Sequence, residues 1–120
     1  MAEPTLVMRD AAVGGAPALA LSGELDLATA PELTERLEEA ILDTEGVFVI
    51  DLCDLRFIDS SGIQVLLRAL GLLGREDRRL ALVCPTGAVR RALELDGVND
   101  VFVLYETRRA AARAFVPAEG

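Results

Sequence analysis

Two short apolar runs with a helical segment between them constrain the fold of this chain more than any other feature of its sequence. The runs span residues 47–50 and 80–83, and neither contains a polar side chain that would face water. Uninterrupted apolar strands of this length are typical of a sheet that is covered on both faces. A strand, a helix and a second strand joined by short connections form a parallel crossover, so the sequence predicts an α/β domain.

Turn and helix signals extend this pattern to the whole chain. Gly14-Gly15 is typical of a hairpin turn, and Gly97 is typical of a residue that ends a helix. The predicted strands span residues 6–13, 18–21, 47–50, 80–83 and 101–104, and the predicted helices span residues 29–46, 62–74, 85–97 and 107–115. The order ββαβαβαβα predicts a mixed, mostly parallel sheet with an N-terminal hairpin and about four flanking helices. All 120 residues are assigned to one domain, with its core at about residues 5–116 and a short tail.

The amino-acid composition excludes most kinds of catalysis. The chain has no His and no Lys, so all 12 basic residues are Arg. It therefore lacks an imidazole for a catalytic triad or a metal site, and an ammonium for a phosphate-binding loop or a Schiff base. We expect no enzyme, no catalytic residue, no metal and no cofactor. The net charge of −8 also disfavours binding to nucleic acid or to an anionic membrane surface.

The cysteines and the apolar segments indicate where the protein works. Cys53 and Cys84 lie far apart without the spacing of a metal or redox motif, and we expect both to be reduced core residues. The N-terminal residues lack the basic and apolar stretches of a signal peptide, and no apolar segment is long enough to span a bilayer. The expected location is the cytoplasm.

Residues 59–62, Asp-Ser-Ser-Gly, lie between a predicted strand and a predicted helix, where ligands and reactive groups collect in open α/β sheets. Ser61 begins an S-x-x-Q capping box, whereas a cap at Ser60 would have an apolar residue in the reciprocal position. We therefore expect Ser61 to cap the helix and Ser60 to keep a free hydroxyl, beside which a phosphate would be stabilised. Gly62 would leave the approach open. Alternatively, both serines merely end a loop, a common use of Ser before a helix.

Several carboxylates are predicted to form an acidic rim near this segment, because the ends of the second and third strands meet at one edge of the sheet. The rim comprises Glu24, Asp26, Asp51, Asp54 and Asp59. Paired carboxylates can act as a general acid and base or bind Mg²⁺, but loop carboxylates are more commonly solvated or used as helix caps. A receiver domain or a nucleotide-processing enzyme would also use such a rim, and the missing Lys and His disfavour both.

The helix after Gly62 has more apolar residues than one buried face requires. The stripe expected to face the sheet consists of Ile63, Leu66, Leu67, Leu70 and Leu73. A second flank consists of Val65, Ala69 and Leu72. Either a neighbouring helix covers this flank, or the flank is an exposed docking surface next to Ser60.

Three segments together resemble the STAS domain, and specifically the bacterial anti-sigma factor antagonists that consist of this domain alone. The segments are residues 21–26 (Leu-Ser-Gly-Glu-Leu-Asp), Asp51-Leu52 with residues 57–62 (Phe-Ile-Asp-Ser-Ser-Gly), and residues 89–93 with Gly97-Val98. The resemblance extends over about residues 6–115. It implies a mixed sheet with flanking helices, in agreement with the pattern of strands and helices above.

The resemblance also implies a partner-switching protein. In that family, an anti-sigma factor that is itself a serine kinase with a GHKL-type ATPase fold phosphorylates the first serine of the D-S-S-G segment, here Ser60. The unphosphorylated antagonist binds the anti-sigma factor and frees the sigma factor, and a PP2C-type phosphatase restores that state. Asp59, Ser61 and Gly62 are then the neighbours of the phosphoacceptor, and Asp26 matches the acidic residue of the preceding loop. ATP is a substrate of the kinase and not a cofactor of this chain.

The residues expected to contact the partner also include Glu24, in the same segment as Asp26, and Val65 and Leu72 of the second flank. STAS domains serve in scaffolds and in lipid-transport complexes as well. The alternative function is therefore a non-switching subunit of such a complex, in which Ser60 only ends a loop.

Overall fold

The computed structural model describes residues 5–115, and these form an alternating series of strands and helices. The strands are β1 (Leu6–Val13), β2 (Ala16–Leu25), β3 (Phe48–Ile58), β4 (Leu80–Val83) and β5 (Val103–Tyr105), and the helices are α1 (Ala30–Leu42), α2 (Ser60–Gly74), α3 (Gly87–Leu95) and α4 (Arg108–Phe115). This is the predicted order. The tail predicted for residues 116–120 lies outside the described residues.

The strands form one five-stranded sheet in the order β1-β2-β3-β4-β5. β1 and β2 are the antiparallel hairpin, and the pairs β2–β3, β3–β4 and β4–β5 are parallel. The predicted fold class, an α/β domain with a mixed and mostly parallel sheet, is confirmed. Within the described residues, no helix is both long and apolar enough to cross a membrane.

Helices cover both faces of the sheet, which explains the apolar runs of β3 and β4. Ile50 and Leu82 belong to a large core cluster with buried residues of α1, α2 and α3. Val49 and Val83 belong to a second cluster, on which α4 packs through Ala111. Because successive residues of a strand face opposite sides, each strand supplies both clusters in turn.

Both central strands are longer than predicted and extend toward the Asp-Ser-Ser-Gly segment. β2 continues through the polar residues Ser22 and Glu24, because this part pairs with β1 on one side and β3 on the other. Gly23 has a φ of 100°, and a Cβ atom there would collide with the carbonyl oxygen of Thr5. β3 continues through Asp54 to Ile58, well beyond the predicted end of this strand at residue 50.

A neighbouring helix covers the second apolar flank of α2. Val65 is only 7% exposed, Ala69 is buried as well, and both lie in the core cluster that includes α1. Arg68 of α2 and Glu38 of α1 form an ion pair at 3.0 Å across the same interface. Val65 is therefore a core residue, and the expectation that it contacts a partner is wrong. Leu72 is half-buried at the edge of this helix pair.

Cys53 and Cys84 form a disulfide, so the expectation of two reduced core cysteines is wrong. Asp51 of β3 pairs with Val83 of β4, and the cysteines follow these residues along the two neighbouring strands. Their Cα atoms lie 4.7 Å apart, within the range that a disulfide requires. The 31-residue separation in sequence gives no sign of this proximity, which arises only when β3 and β4 pair.

Candidate functional site

Asp59 caps α2 and joins it to the preceding loop. Its Oδ1 accepts a hydrogen bond from the amide of Gly62 at 3.1 Å, and its backbone carbonyl accepts one from the amide of Ile63 at 3.0 Å. Its Oδ2 accepts a third from the amide of Leu27, in the β2–α1 connection, at 3.3 Å. One residue therefore fixes both the start of the helix and the loop beside it.

The expectation that Ser61 caps α2 is wrong. The helix begins at Ser60, directly after Asp59, so Ser61 is already its second residue. An Asp carboxylate is as good a cap as a Ser hydroxyl, and its negative charge is additionally favoured at a helix N-terminus. The capping-box pattern in the sequence therefore predicts a cap two residues C-terminal to the observed one.

Ser60 has the exposure that a phosphoacceptor needs. It is the first residue of α2 and is exposed, and its hydroxyl makes no hydrogen bond to any residue in the range 5–115. The hydroxyl is unengaged as the sequence predicts, but because Asp59 rather than Ser61 is the cap.

Gly62 lets the start of α2 lie against the ends of β2 and β3. A Cβ atom at this position would lie 2.6 Å from Cγ of Leu25 and 2.8 Å from Cγ1 of Ile58. Gly62 is itself buried. The expectation that it keeps the approach to Ser60 open is therefore wrong, since its role is close packing beneath the site.

Asp26 shapes the connection between β2 and α1. Its Oδ1 accepts hydrogen bonds from the amides of Ala28 and Thr29 at 3.0 and 3.1 Å. In return, the buried Thr29 hydroxyl accepts from the amide of Asp26 at 2.9 Å. These bonds turn the chain so that the amide of Leu27 reaches Asp59.

The predicted acidic rim divides into two separate groups. Glu24, Asp26 and Asp59 lie together, because Leu25 pairs with Ile58 at the ends of β2 and β3. Asp51 lies seven positions back along β3, which is about 23 Å at the usual rise of a strand. It is only 3% exposed. Its inclusion in the rim was wrong, since strand register, and not loop position, decides where it lies.

Asp51 is instead half of an ion pair with Arg108, the first residue of α4. Its Oδ2 accepts from Nε of Arg108 at 2.7 Å, and its Oδ1 accepts from the amide of Cys53 at 3.0 Å. The hydrogen bond to Asp51, together with the negative charge of that carboxylate, raises the pKa of Arg108. Asp54 lies 3.9 Å from the same guanidinium and belongs to this group too.

Two exposed apolar side chains that the sequence does not single out lie at the edge of the sheet where α2 begins. Leu27 is 75% exposed and Phe57 is 45% exposed. Phe57 pairs with Glu24 across β2 and β3, and the amide of Leu27 bonds to Asp59, which places both at the same edge of the sheet. Strand alternation gives no signal for Phe57, because the buried residues of β3 here are Leu55 and Ile58, three positions apart, and the register with β2 shifts at this point.

We call this area the Ser60 surface: Ser60, Glu24, Asp26, Leu27, Phe57 and Asp59. It presents a hydroxyl, carboxylates and two apolar side chains on a rigid edge. Within residues 5–115, no group of three or more carboxylate or thiol side chains is arranged to hold a metal ion. The arrangement suits recognition by another protein, and the hydroxyl can accept a phosphoryl group that another protein supplies.

The fold is a mixed five-stranded sheet whose third strand leads into α2 through the Asp-Ser-Ser-Gly segment. The family model of the STAS domain matches residues 10–111. The chain belongs to the STAS domain family.

Similar proteins within the family are anti-sigma factor antagonists. The anti-sigma-F factor antagonist RsfB of Mycobacterium tuberculosis is 31% identical over 93 residues, which are 78% of this chain and 75% of that protein. The anti-sigma-B factor antagonist of Staphylococcus aureus is 28% identical over 86 residues, or 72% of this chain and 80% of that protein. A crystal structure of an anti-sigma factor antagonist from Mycobacterium paratuberculosis is 29% identical, with a TM-score of 0.79, and covers 94% of this chain and 99% of that one.

The fold extends to more distant proteins. The anti-sigma factor antagonist SpoIIAA in its unphosphorylated form is 21% identical, with a TM-score of 0.76, and covers 94% of this chain and 100% of that one. This likeness shows a shared fold.

Proposed function

We propose that this protein is an anti-sigma factor antagonist that is switched by phosphorylation of Ser60. In its unphosphorylated form it binds a cognate anti-sigma factor and so releases the sigma factor. The Ser60 surface carries this proposal, because it presents an exposed hydroxyl at the N-terminus of α2, at an edge of the sheet that also carries carboxylates and exposed apolar side chains. The names of the relatives from Mycobacterium tuberculosis and Staphylococcus aureus support the class of partner.

The chemistry of the switch must come from the partner. In the transfer, the γ-phosphoryl group of ATP passes to Oγ of Ser60, the hydroxyl proton goes to a base, and ADP leaves. The chain has no His or Lys to act as that base, so a serine kinase of the GHKL type supplies the base, the nucleotide and its Mg²⁺. A PP2C-type phosphatase hydrolyses the phosphoserine and restores the binding form. The chain itself needs no cofactor and contributes a hydroxyl in a fixed position.

The partner that fits the Ser60 surface has an apolar contact surrounded by basic side chains. Leu27 and Phe57 offer apolar area, while Glu24, Asp26 and Asp59 supply negative charge beside it. A phosphate on Ser60 would have to be desolvated in the middle of that contact, which is costly for a dianion without a matched cation. A hundredfold loss of affinity needs only about 2.7 kcal/mol.

The test is to incubate the protein with its candidate kinase and ATP and to map the modification by mass spectrometry. We expect the wild type and the matched control Ser61→Ala to gain one phosphate on Ser60, and Ser60→Ala to gain none. Ser60→Ala should still bind the anti-sigma factor in titration calorimetry, because its hydroxyl makes no bond within residues 5–115. Phosphate on Ser61 would contradict the proposal. A protein that binds no anti-sigma factor but copurifies with a transporter or scaffold would favour the non-switching alternative.

A further inference from the structure

The disulfide between Cys53 and Cys84 joins β3 to the connection between β4 and α3. Cys84 directly follows β4, and its amide donates to the carbonyl of Tyr105 at 2.7 Å. Two residues later, Thr86 caps α3, and its hydroxyl donates to the carbonyl of Leu55 in β3 at 2.9 Å. The disulfide and this hydrogen bond therefore both hold the start of α3 against the same strand.

The backbone of Cys84 adopts a conformation that the disulfide helps to maintain. Its φ is 59°, in the left-handed region that side chains with a Cβ rarely occupy. Such a residue keeps this conformation only where its surroundings hold it in place. Opening the bond to Cys53 removes one of these constraints, so Cys84 can relax and the residues that begin α3 can move with it.

The bond is both accessible and dispensable for the core. Cys53 and Cys84 are half-buried rather than enclosed, so thiol reagents can reach them in the folded protein. The large apolar core cluster lies on the opposite face from Cys53 and Cys84, and the domain therefore does not depend on the bond as small disulfide-rich domains do. We therefore expect the fold to persist when the bond opens.

From these observations we propose that Cys53 and Cys84 form a reversible redox site. Oxidation fastens the start of α3 to β3, and reduction releases it. In the closing reaction, the two thiols lose two electrons and two protons and form the Sγ–Sγ bond, while an external disulfide such as glutathione disulfide is reduced to two thiols. A dithiol reductant reverses the reaction. This site is independent of phosphorylation at Ser60.

The experiment is to equilibrate the native protein in glutathione buffers of different ratio, trap free thiols by alkylation and count them by intact mass. We expect monomers with either no or two alkylated cysteines, a reversible titration and an unchanged far-ultraviolet circular dichroism spectrum. Reduction should lower the melting temperature by about 10 °C, because it opens a loop of 31 residues. Hydrogen exchange should increase at the amides of α3 more than at those of α1.

Two variants separate the covalent bond from the backbone effect. Cys53→Ala/Cys84→Ala should match the reduced protein in every buffer. Cys53→Ala/Cys84→Gly should melt a few degrees higher than that variant, because Gly tolerates the positive φ. The proposal is overturned if the bond resists dithiothreitol until the protein unfolds, if the reduced protein loses its helices, or if the exchange of α3 is the same in both redox states.

Discussion

Replacing Asp59 by alanine removes the carboxylate that fixes the start of α2. The cap on the amide of Gly62, at 3.1 Å, contributes about 1 kcal/mol. The longer and exposed bond to the amide of Leu27, at 3.3 Å, adds about 0.5 kcal/mol, and the interaction of the charge with the helix N-terminus adds a similar amount. We expect Asp59→Ala to lower the free energy of unfolding by about 2 kcal/mol.

Two matched variants assign this loss to its cause. Asp59→Asn keeps a side-chain oxygen that can cap Gly62, so it should lose only about 0.5 kcal/mol, the contribution of the charge. Ser61→Ala should lose nothing measurable, because the Ser61 hydroxyl makes no hydrogen bond to the described residues and alanine is the best helix former.

Urea unfolding followed by circular dichroism measures all three variants. At an unchanged slope, the midpoint of Asp59→Ala should fall by about 1 M or somewhat more. The reasoning is refuted if Ser61→Ala is destabilised as much as Asp59→Ala, since Ser61 would then be the working cap. It is equally refuted if Asp59→Ala unfolds at the wild-type midpoint.

Three further predictions concern the surroundings of the site. Gly62→Ala should lower the free energy of unfolding by about 1–3 kcal/mol in the same urea assay, because the added Cβ would collide with Leu25 and Ile58. A gain in stability, from the higher helix propensity of alanine, would instead show that α2 can move away from the sheet. Leu27→Asp and Phe57→Asp should each weaken anti-sigma factor binding at least about tenfold in calorimetry. Leu42→Asp, on α1 and about as exposed as Leu27, should leave binding unchanged. Equal losses in all three variants would exclude a local contact. Arg108→Met should lower the free energy of unfolding by about 1–3 kcal/mol in thermal unfolding, because it leaves the carboxylate of Asp51 buried without its cation. In the same measurement, the neighbouring Arg109→Met should have almost no effect. Because the pKa of Arg108 is raised, its contribution is present at neutral pH and is lost only as the pH rises through that raised value in strongly alkaline solution.

The order of elements could be predicted because it depends on residues that are close in sequence. The apolar runs of β3 and β4 and the turn at Gly14-Gly15 each indicate their structure locally. The extensions of β2 and β3 could not be predicted in this way. Their polar residues are held in the sheet by pairing with distant strands, and Asp51 is tolerated there only because Arg108, far along the chain, neutralises it.

The site shows the same division between local and distant causes. Ser60 and Asp59 could be placed at the start of a helix from the sequence, since a loop that enters a helix has a local pattern. The residue that caps α2 could not be predicted, because Asp and Ser have similar capping preferences and lie side by side in this segment. Asp59 is distinguished by its second hydrogen bond, which it accepts from the amide of Leu27 in the neighbouring loop. Burial of Val65 and pairing of Cys53 depend on which elements become neighbours, which no local pattern reveals.

The groups around the start of α2 determine whether a phosphate on Ser60 would change the fold or only the binding of a partner. The amides of Ser60 and Ser61 donate no hydrogen bond to residues 5–115, and together with the helix dipole they favour a negative charge at this position. Asp26 and Asp59 oppose it as like charges, but both carboxylates already accept hydrogen bonds from amides, and the exposed surface is screened by solvent and salt. The two effects are of similar size, so the phosphorylated protein should melt within a few degrees of the unmodified one and keep α2 intact. The proposed loss of affinity would then arise in the complex with the anti-sigma factor, where the dianion has to be desolvated at the Ser60 surface.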